Sequence, residues 1–184
     1  MATQFPLLTI TMILIPLLVL NQCLTSIGQE TGKALIATVC SKTENPQDCI
    51  SLLESDPRSF TSNLTGLARI ALEITASKAN TSLVVAEYWL QHAKDYTDWA
   101  SASACRGGYA SSVNSMQDSL RAFDELKSDR LFQNLQYVIN NVTYCQKTRY
   151  WISPSPPASD AFNDLNATML KITKYVLAIL HQLF

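Results

Sequence analysis

Sulfur and amide groups are the chemistry-bearing residues of this chain. There are five cysteines: Cys23, Cys40, Cys49, Cys105 and Cys145. Asn63-Leu-Thr, Asn80-Thr-Ser, Asn141-Val-Thr and Asn166-Ala-Thr each fit the acceptor triplet for an N-linked glycan. The two histidines, His92 and His181, are far in sequence from every cysteine, and no Cys-x-x-Cys pair exists, so neither a zinc site nor any other metal or cofactor is expected. No Gly-x-Ser-x-Gly elbow, phosphate-binding glycine loop or His-Glu-x-x-His helix occurs, and no residue is assigned a catalytic role. The chemistry to expect is disulfide formation and glycosylation, both of which belong to a secretory compartment.

The N-terminal stretch agrees with that compartment. Phe5 to Leu20 is an apolar run broken by Pro6 and Pro16 and followed by Thr25, Ser26 and Gly28, which reads as a signal peptide over 1–28 even though the first basic residue is Lys33. A membrane anchor is the competing reading, but a span needs about 20 apolar residues and two prolines interrupt this one. Cys23 falls in the segment to be removed, leaving four thiols and three ways to pair them. Asn45 and Pro46 turn the chain between Cys40 and Cys49, which favours that pair and leaves Cys105 for Cys145. A formal net charge of -1 gives no field to attract nucleic acid.

The elements that must position these groups are helical. Residues 29–184 are read as one domain, of a size that buries about two thirds of its unfolded surface. Leu35, Ile36 and Val39 mark a short helix, a second runs from Cys49 to Glu54, and Ser55-Asp-Pro-Arg-Ser is a break, so 29–60 form a helical hairpin. A long helix is expected from Asn63 to His92, with a bend or break at the polar stretch Lys78 to Ser82. The next carries Trp99, Ala102, Arg106, Tyr109, Val113, Met116, Leu120, Phe123 and Lys127 on one face, interrupted by Gly107 and Gly108, for which close approach of another backbone is one candidate cause. A third, capped by Ser128 or Asp129, carries Leu131, Leu135, Val138, Val142 and Cys145 inward. Pro154, Pro156 and Pro157 make Ile152 to Asp160 a linker, and the last helix, from Ser159 or Asp160, presents Phe162, Leu165, Met169, Ile172, Val176, Ile179 and Leu183. The expected architecture is all-α: a four-helix up-and-down bundle over 61–184, preceded by the hairpin and held by two disulfides.

Ala37-Thr-Val-Cys-Ser-Lys-Thr-Glu-Asn-Pro-Gln-Asp-Cys-Ile-Ser-Leu-Leu-Glu-Ser-Asp-Pro-Arg-Ser resembles the opening of the plant invertase and pectin methylesterase inhibitor family. Cys105 followed by Tyr109, Leu120 before a helix holding Cys145, and the apolar last helix continue the likeness. It implies a bundle with a protruding hairpin, two sequential disulfides and a secreted inhibitor of the cell wall or vacuole that covers an enzyme's active-site cleft. It also implies a one-to-one complex with pectin methylesterase or acid invertase, and no membrane partner after signal removal. Gln136-Tyr-Val-Ile-Asn140 replaces the family's Ser-Ala-Ala-Leu-Thr, and Asp129-Arg-Leu-Phe132 keeps only the ends of the Asp-Pro-Lys-Phe of invertase inhibitors.

An inhibitor needs a surface rather than a catalytic group. Gln133, Gln136, Tyr137, Asn140 and Tyr144 lie off the inward stripe of the third long helix and are the candidate partner contacts. Trp99, Tyr109 and Phe123, by their helical spacing, are read as core, and Asp124-Glu125 as a solvated face. A non-inhibitory bundle holding an apolar ligand is the competing class; it requires a gap between stripes that Leu, Ile, Val and Met fill here.

Overall fold

In the computed structural model the described residues are 32–152 and 156–184, with side chains described outside 149–162; the expected signal peptide at 1–28 lies outside them. Two short helices, α1 (Gly32–Cys40) and α2 (Pro46–Glu54), form the hairpin. Pro46 occupies the first turn of α2, where its missing amide costs nothing, and Asn45 caps the helix by accepting from the Asp48 amide. The Cys40–Cys49 bridge closes the turn, with Cα atoms 5.5 Å apart. Closing so short a loop contributes about 2–3 kcal/mol in the chain-entropy account. The break after Glu54 is a 3-10 turn, Pro57–Thr61, capped by Asp56.

Four long helices follow: α3 (Leu64–Gln91), α4 (Tyr96–Asp124), α5 (Ser128–Ile152) and α6 (Pro156–Leu180). Asn63 and Asp95 cap α3 and α4 through the amides of Gly66 and Asp98. Helices α3 and α5 each pack on α4 and α6, which puts α3 and α5 on opposite corners of the bundle. The core is one cluster whose fully buried side chains include Leu67, Leu72, Tyr109, Met116, Leu131, Leu135, Met169 and Ile179.

Several expectations are corrected. The hairpin does not protrude: Ile36, Val39 and Leu53 join the core, and α6 holds the hairpin through Lys171–Asp48 at 2.7 Å, Lys174–Glu44 at 3.3 Å and the Gln182 amide on the Val39 carbonyl. Helix α3 runs unbroken through Lys78 to Ser82: Ala79 and Ser82 are buried against the bundle, and Asn80, Thr81 and Ser82 satisfy their side chains on the carbonyls of Ala76, Ser77 and Lys78 instead of competing for the backbone amides. Ser128 and Asp129 are inside the first turn of α5 rather than its cap. Helix α6 begins at Pro156, so the proline stretch is not a linker to Asp160; the side chain of Phe162 lies outside the described ones.

The stripe on α4 is shorter than its sequence pattern. Trp99 is half exposed and stacks with Tyr96, Arg106 faces outward to Glu87, and Lys127 lies past the helix end. Leu126 there takes φ 55°, and the bonds Leu126 N–H to Phe123 O and Lys127 N–H to Ala122 O end the helix as a Schellman motif.

Gly107 and Gly108 separate in role. A Cβ at Gly108 would stand 3.0 Å from the backbone oxygen of Asn141 on α5, whereas one at Gly107 would meet nothing within 4 Å. Only Gly108 serves a close backbone approach. Gly107→Ala should therefore stabilise the protein by about 0.5–1 kcal/mol through helix propensity. Gly108→Ala should be the less stable of the two by about 1–3 kcal/mol because α5 must shift. Chemical unfolding of both oxidised variants checks the order.

Candidate functional site

The α4–α5 seam determines what the bundle presents outward. Cys105 and Cys145 are both fully buried and bridge the two helices with Cα atoms 4.5 Å apart. The bridge closes a span of 40 residues, worth about 4 kcal/mol in the chain-entropy account. One turn from it, the Tyr109 hydroxyl donates to Asn166 Oδ1, and Asn166 Nδ2 lies 3.5 Å from Cys145 Sγ. Asn166 is fully buried. Asn166 thus spends both ends of its amide inside the core, where the packing leaves little room for a glycan; the triplet pattern carries no information on burial.

With Leu131, Leu135, Val138, Val142 and Cys145 turned inward, the other side of α5 is fixed. Gln133, Gln136, Tyr137, Asn140 and Tyr144 are all exposed. Tyr137 is 49% and Tyr144 61% accessible. Two i,i+4 bonds order the row: Gln133 Nε2 donates to the Tyr137 hydroxyl at 3.3 Å and Gln136 Nε2 to Asn140 Oδ1 at 3.1 Å. Helix α4 exposes Gly107, Ser111, Asn114 and Gln117. Sequence reasoning took Gly107 only as a helix interruption and did not single out Ser111, Asn114 and Gln117; their signal is an exposed helix side without charge. Arg106 stands at one end of that row and Arg121 at the other.

Charge collects elsewhere. Arg58 pairs with Asp56 at 2.6 Å and with Glu73 at 2.8 Å; Arg69 pairs with Glu73 at 2.9 Å and with Asp124. This network ties the 3-10 turn and α3 to the end of α4, so Asp124 is ion-paired rather than merely solvated. Burial alone would raise the Glu73 carboxyl, but the hydrogen bonds from Arg69 and Arg58 prevail and hold it below its ordinary 4.5. His92 closes α3, with Nδ1 2.7 Å from the Tyr88 carbonyl, and His181 stacks on Phe132. Among the described residues no group of three or more His, Cys, Asp or Glu could hold a metal ion, and no helix is long and apolar enough to cross a membrane.

A depressed carboxyl stabilises the fold fully above its unfolded value and loses that contribution as pH falls through the lower native one. Glu73→Gln should therefore reduce the melting temperature near neutrality and flatten its decline between about pH 5 and pH 3. Thermal melts across that range test it; an unchanged acid limb would remove Glu73 from the account.

Comparison with known proteins places this geometry. The family model for plant invertase/pectin methylesterase inhibitors matches residues 34–179. A pectinesterase inhibitor of Actinidia deliciosa is 37% identical over 83 residues, 45% of this chain and 44% of that relative, so the aligned stretch spans less than half of the relative. A mutant form of a pectin methylesterase inhibitor from Arabidopsis superposes with a TM-score of 0.67 at 19% identity, over 78% of this chain and 93% of that one. A second such inhibitor from Arabidopsis thaliana gives 0.61 at 18% identity, over 81% and 95%. At those identities the two structures speak for the fold alone, which is that of this helical bundle. The family match spans most of the sequence and includes all four bridged cysteines, and the chain belongs to the plant invertase/pectin methylesterase inhibitor family.

Proposed function

We propose that the protein is a secreted inhibitor of pectin methylesterase, acting outside the cell by laying the outer faces of α4 and α5 over the enzyme's active-site cleft in a one-to-one complex. The observation that carries this is the uncharged, exposed strip formed by Gln133, Gln136, Tyr137, Asn140 and Tyr144 on α5 with Gly107, Ser111, Asn114 and Gln117 on α4. Centres of protein interfaces are depleted in charge and enriched in tyrosine, with polar groups left to the rim. Two tyrosines held on a rigid helix supply contact area at little entropic cost, and the amide pairs on α5 are ordered before binding.

The relative named a pectinesterase inhibitor favours pectin methylesterase as the target. Acid invertase, whether of the cell wall or the vacuole, is the alternative in the family's description. The segment that resembles the invertase inhibitors' motif gives it no separate support, since Leu131 is buried and Phe132 packs against His181 and Phe184. The apolar-cargo reading gains no support, since the buried apolar side chains form one contiguous cluster.

Asn141 follows Asn140 directly and is half-buried at the seam. It is i+4 from Tyr137 and i−3 from Tyr144, so the docking proposal takes it as unmodified. Tyr137→Asp and Asn140→Arg should each weaken inhibition by at least about ten-fold while helicity and melting temperature hold. Full-strength inhibition by both variants would remove this strip as the docking face. Co-elution of wild-type protein with the enzyme on a sizing column should give a single complex.

A further inference from the structure

We infer that Asn134 is a recognition residue set into the α4–α5 seam, whose side-chain amide donates to an acceptor oxygen of the bound enzyme. Asn134 is 8% exposed, and its Nδ2 is buried without a hydrogen-bond partner among the described residues. The register of the seam gives its place. Cys105 faces Cys145 and Gly108 faces Asn141, so about two turns further along the antiparallel pair Asn134 stands opposite Ser115. Tyr137 lies one turn beyond Asn134 on α5, and Ser111 one turn before Ser115 on α4; both belong to the proposed docking strip. Asn134 is thus placed between the two halves of that strip, where the residues that dominate an interface tend to cluster.

Nothing in the fold calls for an amide there. The α5 residues next to it on the inward side, Leu131, Leu135 and Val138, are apolar and fully buried. Polar groups of α4 along the same seam are already committed: Ser112 and Ser119 donate to the Gly108 and Ser115 carbonyls of their own helix, and Asp118 pairs with Arg121 and Arg130. A buried donor without a partner keeps the whole penalty of leaving water, so the free protein is less stable for carrying Asn134. A partner that covers the strip can offset that penalty. The last torsion of asparagine is a soft, two-fold one, so the amide can turn its NH2 toward the strip and leave Oδ1 inside, opposite the hydroxyl of Ser115. An NH2 group donates and does not accept, so what it reads on the enzyme is an acceptor oxygen.

The inference rests on the docking of α4 and α5 proposed above, and the test separates the two. Asn134→Leu, close in volume and apolar, should raise the urea unfolding midpoint by about 0.5 M. The same variant should weaken inhibition of pectin methylesterase at least about five-fold, because an acceptor of the enzyme is left buried and unpaired. Asn134→Ala removes the amide without filling its space, and should weaken inhibition to a similar extent, which separates the lost hydrogen bond from a steric misfit. Asn140→Arg, on the strip but outside the seam, reports on the docking face itself. Full-strength inhibition by both Asn134 variants while Asn140→Arg is weakened overturns the inference and leaves the docking face standing. Full-strength inhibition by all three variants removes the face and the inference together.

Discussion

The close approach of α4 and α5 is the constraint on which the rest of the structure depends. It is made by a missing side chain and a covalent bond: a Cβ at Gly108 would stand only 3.0 Å from the Asn141 carbonyl oxygen, and Cys105 bonds to Cys145 one turn away. Neither feature suffices alone. The disulfide limits the unfolded ensemble but tolerates some range of helix separations, whereas the glycine admits close contact without enforcing it. Together they hold α5 at one rotation about its axis. Tyr109 and Asn166 extend this arrangement to α6, satisfying two buried polar groups that would otherwise each cost about 1–3 kcal/mol.

That rotation is what links fold to function. Once Leu131, Leu135, Val138, Val142 and Cys145 face inward, the side chains between them have only the solvent side to occupy. The strip on α5 thus inherits its rigidity from the core. Charge stands at the ends of the strip, in Arg106–Glu87 and in Arg121 and Arg130 on Asp118, and in the Arg58–Glu73–Arg69–Asp124 network, which ties the 3-10 turn and α3 to the far end of α4. The hairpin is anchored separately, by lysines of α6. Under the proposed docking, this division leaves a contact surface that needs little rearrangement on binding.

Much of this was legible in the residues. The start of α3 at Asn63, the break after Glu54 and the inward stripe of α5 are local signals, and each gives the element expected of it, whereas Pro46, read as part of a turn, opens α2 three residues before its expected start at Cys49. Legibility failed where a local signal met a tertiary one. The polar run at Lys78 to Ser82 looked like a break, yet its hydroxyls and amide bond back to their own helix. Pro156 and Pro157 looked like a stop, yet the first turn of a helix accepts proline. Trp99 and Arg106 fitted the α4 periodicity but stand beyond the width of the buried stripe. Asn166 is the sharpest case. Its triplet reads as surface chemistry, and only its place between Tyr109 and the disulfide shows it to be part of the core.

The proposed inhibition of pectin methylesterase makes the protein a binder that stops an enzyme. The most direct measurement is a titration of the purified, oxidised protein into pectin methylesterase and, separately, into acid invertase, both at mildly acidic pH. Stoichiometric loss of esterase activity with invertase unaffected is the expected result. Loss of invertase activity alone would reassign the target, and inhibition of neither by a demonstrably folded bundle would contradict the account.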